Sequence, residues 1–222
     1  MIIFSHNMES NAEKVPRRDF LAKSFAAAAG LILPATAGAT AGATAGATAV
    51  QLFSPEYHYP KKPGEGRILR RIYLTREASK WHAAERADFI LWDKDGRIDA
   101  EGYKRLCWFL RDVRSSRIVQ VDMRLAALIT SVQSHFWFNQ GIHGYYHLTS
   151  GYRSWVTNDQ TEGAAADSGH VYAGAADGWL DGVSVEDLAG VALSLKAGGV
   201  GLYKKRGFVH TDVVGKPNLW KA

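Results

Sequence analysis

The spacing of hydrophobic residues along the chain predicts two pairs of β-strands. Residues 68–75 and 88–92 are rich in side chains that favour strands, and the turn sequence Asp-Lys-Asp-Gly at 93–96 follows the second run. Residues 200–203 and 208–213 form a similar pair around the basic turn Lys-Lys-Arg-Gly. We interpret both pairs as hairpins, whose strands are antiparallel neighbours.

Three other segments repeat apolar residues at positions i, i+3, i+4 and i+7, which is typical of a helix with one buried face. Asp99 and Asp122 precede the first two helices as N-caps, and Ser184 forms a capping box with Asp187 before the third, which glycines 198–199 are expected to end. The predicted buried positions are Tyr103, Leu106, Cys107 and Leu110; Leu125, Leu128, Ile129 and Val132; and Leu188, Val191, Ala192 and Leu195. Since helices and strands are segregated along the chain, we predict an α+β fold with a small antiparallel sheet and flanking helices.

The first 49 residues have the layout of an export signal. Arg17 and Arg18 precede a weakly apolar run at 24–33, which is shorter than the roughly 20 residues that span a bilayer. We therefore predict a twin-arginine signal peptide with an Ala/Gly/Thr linker over residues 1–49, an extended lead-in over 50–66 and one domain over 67–222. The expected location is the periplasm, with no stable membrane span after signal cleavage; an uncleaved tether and a flexible leader of a cytosolic protein are the alternatives.

Composition and charge limit the kinds of metal site and of binding partner that the chain can have. The 222 residues include one cysteine, so an intramolecular disulfide and a zinc site built from several thiolates are both excluded. The formal charge of +5 suits a polyanionic partner. Because the basic residues are scattered and form no recognisable nucleic-acid motif, we expect no nucleic-acid partner. The oligomeric state is left open.

Two histidines stand in contexts that suit a metal ion. His170 and Asp177 flank a segment of small residues that lets a loop turn into a strand, and His210 and Asp212 alternate along the last predicted strand and so share one of its faces. Two imidazoles and one carboxylate make a three-ligand site with an open fourth position, the arrangement of catalytic zinc. The competing interpretation is a histidine that serves only packing.

The remaining histidines of the domain lie among aromatic residues or alone. His135, His143 and His147 are interleaved with phenylalanine, tryptophan and tyrosine, which favours a wall of packed or substrate-facing rings over a second metal site. His58 and His82 have no patterned partners and are interpreted as surface or packing residues.

Longer strings in the chain resemble the M15-type zinc peptidases, and within them the exported murein endopeptidase branch. The matching strings are Ser150-Gly-Tyr-Arg-Ser154 with Asn158, Ser168-Gly-His170 with Asp177, Gly198-Gly-Val-Gly-Leu-Tyr203, Phe208-Val-His-Thr-Asp212 and Trp220. Shorter likenesses at residues 92–96, 110–112 and 121–122 extend the similarity from about residue 67 to the C-terminus.

This resemblance implies an M15 (hedgehog/DD-peptidase-like) fold and a Zn²⁺ ion held by His170, Asp177 and His210. It places Arg153 beside the metal, where a guanidinium can stabilise the oxyanion of a tetrahedral intermediate. The implied activity is hydrolysis of peptidoglycan stem-peptide cross-links, with a peptidoglycan peptide as substrate. A D,D- or L,D-carboxypeptidase, and a non-catalytic peptidoglycan-binding protein with the same fold, are the alternatives.

The sequence departs from the family pattern at two positions. Many M15 enzymes have an acidic residue three positions before the last histidine ligand, where this chain has Gly207, so the general base is open and Asp212 is the nearest candidate. Asp212 is expected either to orient His210 or to act on the zinc water. The family usually has glycine three residues after the first histidine ligand, where this chain has Ala173.

Overall fold

The computed structural model describes residues 68–222, so the predictions for residues 1–49 and 50–66 lie outside the described part of the chain. Its seven strands are β1 (Arg71–Arg76), β2 (Glu85–Ile90), β3 (Tyr146–Ser150), β4 (Ala175–Leu180), β5 (Gly199–Tyr203), β6 (Phe208–Asp212) and β7 (Asn218–Lys221). Its α-helices are α1 (Ala100–Phe109), α2 (Met123–Gln140), α3 (Trp155–Asp159) and α4 (Val185–Ser194). Two 3-10 helices lie at Gly169–Tyr172 and Lys204–Arg206. The predicted α+β class and both predicted hairpins are confirmed.

The strands form one sheet in the order β2-β1-β3-β4-β6-β5-β7. The predicted antiparallel pairing holds for four of the six strand pairs, while β1 pairs with β3 and β5 pairs with β7 in parallel. The chain between β1 and β3 contains β2, α1 and α2, which is long enough for the crossover that a parallel pair needs. β7 is short and mostly exposed, so it carries little of the hydrophobic alternation that reveals a strand.

The three predicted helices begin where their caps were expected. The Asp99 carboxylate accepts from the Gly102 amide at 2.7 Å, the Asp122 carboxylate from the Arg124 amide at 2.8 Å, and the Ser184 hydroxyl from the Asp187 amide at 3.1 Å. The stripes on α1 and α2 are buried, including Cys107. On α4 the expectation for Leu195 is wrong: the helix ends at Ser194, and Leu195 is exposed at the C-cap.

Alternate residues of the strands give the sheet two different faces. One face is apolar and buried, with Ile72, Leu74, Phe89, Leu148, Leu180 and Val209 as members. α4 packs against β4, β5 and β6, and α2 packs against β4. The other face, here called the open face, carries Tyr73, His147, Trp179, Asp177 and His210. No helix of the described region is long and apolar enough to cross a membrane.

Candidate metal centre

Three predicted ligands converge on the open face, and we call them the convergent cluster: His170, Asp177 and His210. The His170 Nε2 lies 3.1 Å from the Asp177 Oδ1 and 3.2 Å from the His210 Nδ1. The His210 Nδ1 lies 2.8 Å from the same Asp177 oxygen. All three side chains are buried. One nitrogen or oxygen from each residue thus occupies the corner of a small triangle.

His170 is fixed in position by the loop that carries it. The residue lies in the 3-10 helix Gly169–Tyr172, and the Ser168 hydroxyl accepts from its amide at 3.4 Å. On the far side of the ring, Nδ1 lies 2.7 Å from the Gly151 carbonyl oxygen. Because a carbonyl only accepts hydrogen bonds, Nδ1 carries the proton and the lone pair of Nε2 faces the cluster.

Asp177 and His210 are neighbours because of the register of the sheet. They are direct partners across the antiparallel pair of β4 and β6, so their side chains project from the same face. Asp177 is also opposite Ser150 on β3, after an irregularity in that ladder. Sheet pairing therefore brings together residues that are 33 positions apart in the sequence.

The side chains of Arg153 and Asp212 each contact one member of the convergent cluster, and the Arg153 amide also donates to the His170 carbonyl at 3.2 Å. The Arg153 Nη2 donates to the Asp177 Oδ2 at 2.7 Å, and its Nε donates to the Ser150 hydroxyl at 2.8 Å. The Asp212 Oδ2 lies 3.2 Å from the His210 Nε2, which is the ring nitrogen that faces away from the cluster.

The other Asp212 oxygen, Oδ1, accepts from the amides of Gly199 and Val214, both at 2.9 Å. With one oxygen held by the backbone and the other on the imidazole, Asp212 is placed to orient His210.

The electrostatic environment shifts the pKa values of the two imidazoles in opposite directions. Burial lowers the pKa of His170. Burial also acts to lower the pKa of His210, but hydrogen bonds to Asp177 and Asp212 outweigh it and raise that pKa to about 9. Burial would raise the pKa of Asp177, yet the charge and hydrogen bonds of the two imidazoles hold it far below its ordinary value. At neutral pH the metal-free cluster thus holds neutral His170, a His210 imidazolium and an Asp177 carboxylate.

The donor set and its dimensions fit a zinc ion. Ligand bonds of about 2.0–2.2 Å in a tetrahedron separate neighbouring ligand atoms by about 3.3–3.6 Å. The three separations in the convergent cluster are 2.8, 3.1 and 3.2 Å, so small outward shifts of the side chains would bring them to that edge length. Three protein ligands leave a fourth position for water or substrate, as in catalytic rather than structural zinc sites.

The departure at Ala173 falls at a strained position of the backbone. Ala173 ends the 3-10 helix with φ of 53°, in the left-handed region that glycine adopts most readily. The turn is retained without the glycine: the Ala173 carbonyl accepts from the Asp122 amide at 3.0 Å, and the Gly174 carbonyl accepts from the Val213 amide at 2.9 Å. The substitution therefore leaves the loop that presents His170 intact.

Two glycines of β5 have a role that the sequence analysis missed. Gly198 and Gly199 were expected to end a helix, but Gly199 begins β5. A Cβ at Gly199 would lie 2.7 Å from the Asp212 Oδ2, and a Cβ at Gly201 would lie 2.6 Å from the Trp220 ring. The ring of Trp220 in turn lies 5.3 Å from that of His210. Glycine at alternate strand positions was the available signal that bulky groups cross the open face here.

Two other histidines of the domain lie flat on tryptophan rings, and we call His143 and His147 the stacked histidines. His143 stacks on Trp137 at 3.9 Å between ring centroids, and His147 stacks on Trp179 at 3.5 Å. His135 meets its neighbour Phe136 edge-on. The His147 Nε2 contacts one carboxylate, at 2.7 Å from the Asp181 Oδ1, but no third ligand atom joins this pair. Within residues 68–222 the convergent cluster is the one group of at least three ligand atoms with metal-binding geometry.

A cleft of about 440 Å³ opens beside the convergent cluster. Asp177, Arg153 and Phe208 line it at the cluster end. Its other lining residues include four arginines, namely Arg76, Arg111, Arg114 and Arg206. His82 also lines this cleft, although it has no patterned partner in the sequence. Gly207, at the position of the usual acid, ends the second 3-10 helix with φ of 70°.

Comparisons with known proteins agree with this architecture. The model of the family Peptidase_M15_2, described as peptidoglycan L,D-endopeptidase MepK, matches residues 71–220. The peptidoglycan L,D-endopeptidase MepK of Escherichia coli K12 is 33% identical over 135 residues, which are 59% of this chain and 71% of the relative. The probable peptidoglycan L,D-endopeptidase MepK of Haemophilus influenzae is 32% identical over 124 residues, 54% of this chain and 64% of the relative. No solved structure matches significantly.

The family match begins at β1 and ends in β7, so it spans every strand of the sheet and all three corners of the convergent cluster. The resemblance expected from short strings is therefore confirmed over the whole described fold. The chain belongs to the M15 peptidase family represented by peptidoglycan L,D-endopeptidase MepK.

Proposed function

We propose that this chain is a zinc-dependent endopeptidase that hydrolyses peptidoglycan stem-peptide cross-links. The observation that carries the proposal is the triangle of His170, Asp177 and His210 ligand atoms, whose Asp177 also lines an open cleft. Family membership supplies the reaction class, and the names of the relatives point to a bond between an L-configured and a D-configured centre.

The convergent cluster would hold the zinc ion through the His170 Nε2, one Asp177 oxygen and the His210 Nδ1. A bound zinc ion supplies a Lewis acid for the scissile carbonyl and lowers the pKa of a water to about 7. The Gly151 carbonyl fixes the His170 tautomer, and Asp212 does the same for His210 from behind. These outer contacts keep both ligand nitrogens aimed at one point.

Arg153 is placed to stabilise negative charge on the scissile carbonyl oxygen. Its side chain is largely buried and is held by Ser150 and Asp177, so the guanidinium needs little reorganisation when the reaction occurs. These two contacts use two of its five N–H donors. Because Arg153 also lines the cleft, its remaining donors are available to a bound substrate.

The protein offers no carboxylate at the usual position of the general base. Gly207 has no side chain, and Asp212 is held by two backbone amides and by His210. We therefore assign Asp212 a positioning role and propose that solvent in the open cleft accepts the proton of the attacking water. General-base catalysis typically contributes 10²–10⁴-fold, so we expect slower turnover than in relatives that have the acid.

The proposed place of action is the periplasm, reached through the twin-arginine pathway. This rests on Arg17, Arg18 and the short apolar run that follows them. Fusing residues 1–49 to a reporter that requires this pathway should export it, and replacing both arginines with lysine should stop export.

Mass spectrometry of purified muropeptide dimers after incubation with the protein tests the enzymatic proposal. Cleavage of a 3-3 cross-linked dimer, lost on chelation and restored by zinc, is the expected result. A 4-3 dimer and an uncross-linked stem separate this activity from D,D-endopeptidase and carboxypeptidase activity. Bound zinc without cleavage of any substrate would favour a non-catalytic wall-binding protein, and cleavage that survives complete metal removal would overturn the zinc mechanism.

A further inference from the structure

The cleft beside the convergent cluster carries more positive charge than its own carboxylates neutralise. Five arginines line it, against the two carboxylates Asp112 and Asp177. Asp177 already contacts two histidines and Arg153. Asp112 is buried and accepts hydrogen bonds from the amides of Arg114, Ser115 and Ser154. Neither carboxylate is therefore available to pair with the arginines at the cleft rim.

Two of the five arginines, Arg76 and Arg111, share a single carboxylate, that of Glu85. Glu85 forms an ion pair with Arg111 and lies 4.0 Å from the Arg76 Nε. That Arg76 nitrogen is buried and has no hydrogen-bond acceptor among the described residues. One guanidinium charge here thus remains without its own counter-charge.

Arg114 and Arg206 are the exposed arginines of the cleft. Arg114 donates from Nη1 to the Gln160 carbonyl at 3.5 Å, and Arg206 lies against the rings of Phe208 and Tyr203. Within the described residues no ion pair involves either side chain. The field of Arg114, in addition to burial, lowers the pKa of Arg153, so the positive charges at this end act on one another.

We propose that Arg114 and Arg206 form a carboxylate-binding subsite that holds an acidic stem peptide in the cleft beside the convergent cluster. This inference rests on the proposed function, because it assigns a chemical class to the substrate of the same site. Guanidinium groups bind carboxylates through paired N–H donors, and arginines gathered in a cleft raise the local concentration of an anionic ligand. Stem peptides with diaminopimelate present such carboxylates, and amidation removes the charge.

Isothermal titration calorimetry with an uncross-linked stem peptide tests this subsite without requiring turnover. Two forms of one diaminopimelate tripeptide are compared, one with free carboxylates and one with amidated carboxylates. We expect the intact protein to bind the free form about tenfold more tightly. Arg114→Gln and Arg206→Gln should each weaken binding of the free form about three- to tenfold and leave binding of the amidated form unchanged.

Matched controls remove the same charge from the same loops outside the cleft. Arg117→Gln and Lys205→Gln change exposed residues that do not line it, and we expect less than a twofold effect. Equal weakening of both peptides by the cleft variants, equal effects of the controls, or no discrimination by the unaltered protein would each overturn the subsite. Failure to cleave dimers with peptide discrimination intact would instead count against the proposed peptidase activity alone.

Discussion

The convergent cluster and the stacked histidines are both rich in imidazoles, yet they differ in what their ring faces and nitrogens contact. His143 and His147 lie flat on tryptophan rings, with interplanar angles of 20° and 15°. In the convergent cluster, the nitrogen opposite the ligand atom is anchored in both histidines, by the Gly151 carbonyl for His170 and by Asp212 for His210. Proximity of histidines in the sequence therefore does not bring their nitrogens together here, whereas the convergent cluster gathers two nitrogens around a shared carboxylate with their outer nitrogens anchored.

A histidine–carboxylate pair alone does not account for the difference. His147 has one too, since its Nε2 lies 2.7 Å from the Asp181 Oδ1. Its other nitrogen, Nδ1, is buried without a hydrogen-bond partner and meets neither a second imidazole nor a second carboxylate. The distinction thus depends on convergence of three ligand atoms, which among residues 68–222 is provided by the pairing of β4 with β6 and the loop at His170.

Removing one histidine from each group should give the largest contrast. We expect His170→Ala to abolish stoichiometric zinc binding and to lower kcat/KM on cross-linked muropeptides by at least about 10³-fold, because a three-ligand site loses a corner and the metal supplies several kcal/mol of charge stabilisation. His143→Ala removes an exposed ring from the stacked histidines and should change both quantities less than twofold. Elemental analysis and muropeptide mass spectrometry measure the two effects.

Because His170 is buried, thermal unfolding of both variants controls for loss of the fold. A folded His170→Ala protein that retains bound zinc and full cleavage would contradict the assignment of the convergent cluster. A folded His143→Ala protein that loses zinc would place the metal among the stacked histidines instead.

Asp212, which contacts His210, and Asp181, which contacts His147, allow a matched comparison with a smaller expected effect on zinc affinity. In Asp212→Asn, the amide oxygen can still accept from Gly199 and Val214, while the NH₂ group replaces the oxygen that faces His210. We expect zinc affinity to fall about 10- to 100-fold, the usual effect of losing such an outer partner. Asp181→Asn makes the same change behind His147 and should leave zinc affinity unaltered.

Competition with a chelator of known affinity measures both variants. Equal zinc affinity in Asp212→Asn and the unaltered protein would show that Asp212 does not orient His210. If cleavage fell with zinc occupancy restored by excess metal, Asp212 would have a direct part in the reaction.

The sequence predicted the parts of the fold that depend on local pattern. Capping residues Asp99, Asp122 and Ser184 mark helix starts correctly, because each cap is satisfied by an amide two or three residues away. Residue context and the family strings both indicated the members of the convergent cluster as candidates. Their contacts, however, arise from the register of β4 with β6 and from the loop that carries His170. β7 and the end of α4 were missed because β7 is short and exposed and Leu195 contributes an apolar position outside the helix.

Contacts made through the backbone were also beyond the reach of the sequence. The Gly151 carbonyl that sets the His170 tautomer has no side-chain signature. The left-handed conformation of Ala173 is likewise hidden, since alanine rarely signals a positive φ. The arginines of the cleft look scattered in the sequence because they belong to distant segments. Arg114 lies in the loop after α1 and Arg206 lies just before β6, and the fold brings both to one cavity.

The proton held by the metal-free convergent cluster predicts a graded dependence of zinc affinity on pH, with a change of about tenfold for each pH unit. The pKa of His210 is raised from its ordinary value of 6.5 to about 9 in the metal-free protein. Protonated His210 therefore contributes fully to the free energy of unfolding of the metal-free protein below pH 6.5, and this contribution is lost as pH rises through 9. Zinc requires the neutral imidazole and must displace this proton. Apparent zinc affinity should therefore rise about tenfold per pH unit between 6.5 and 9 and level off above, with about one proton released per zinc bound at pH 7. Calorimetry in buffers of different ionisation enthalpy counts that proton.

In Asp212→Asn, one of the two carboxylates that raise the pKa of His210 is lost, so the pH at which zinc affinity levels off should be lower. If zinc affinity levelled off at the same pH in both proteins, Asp212 would not hold the proton on His210.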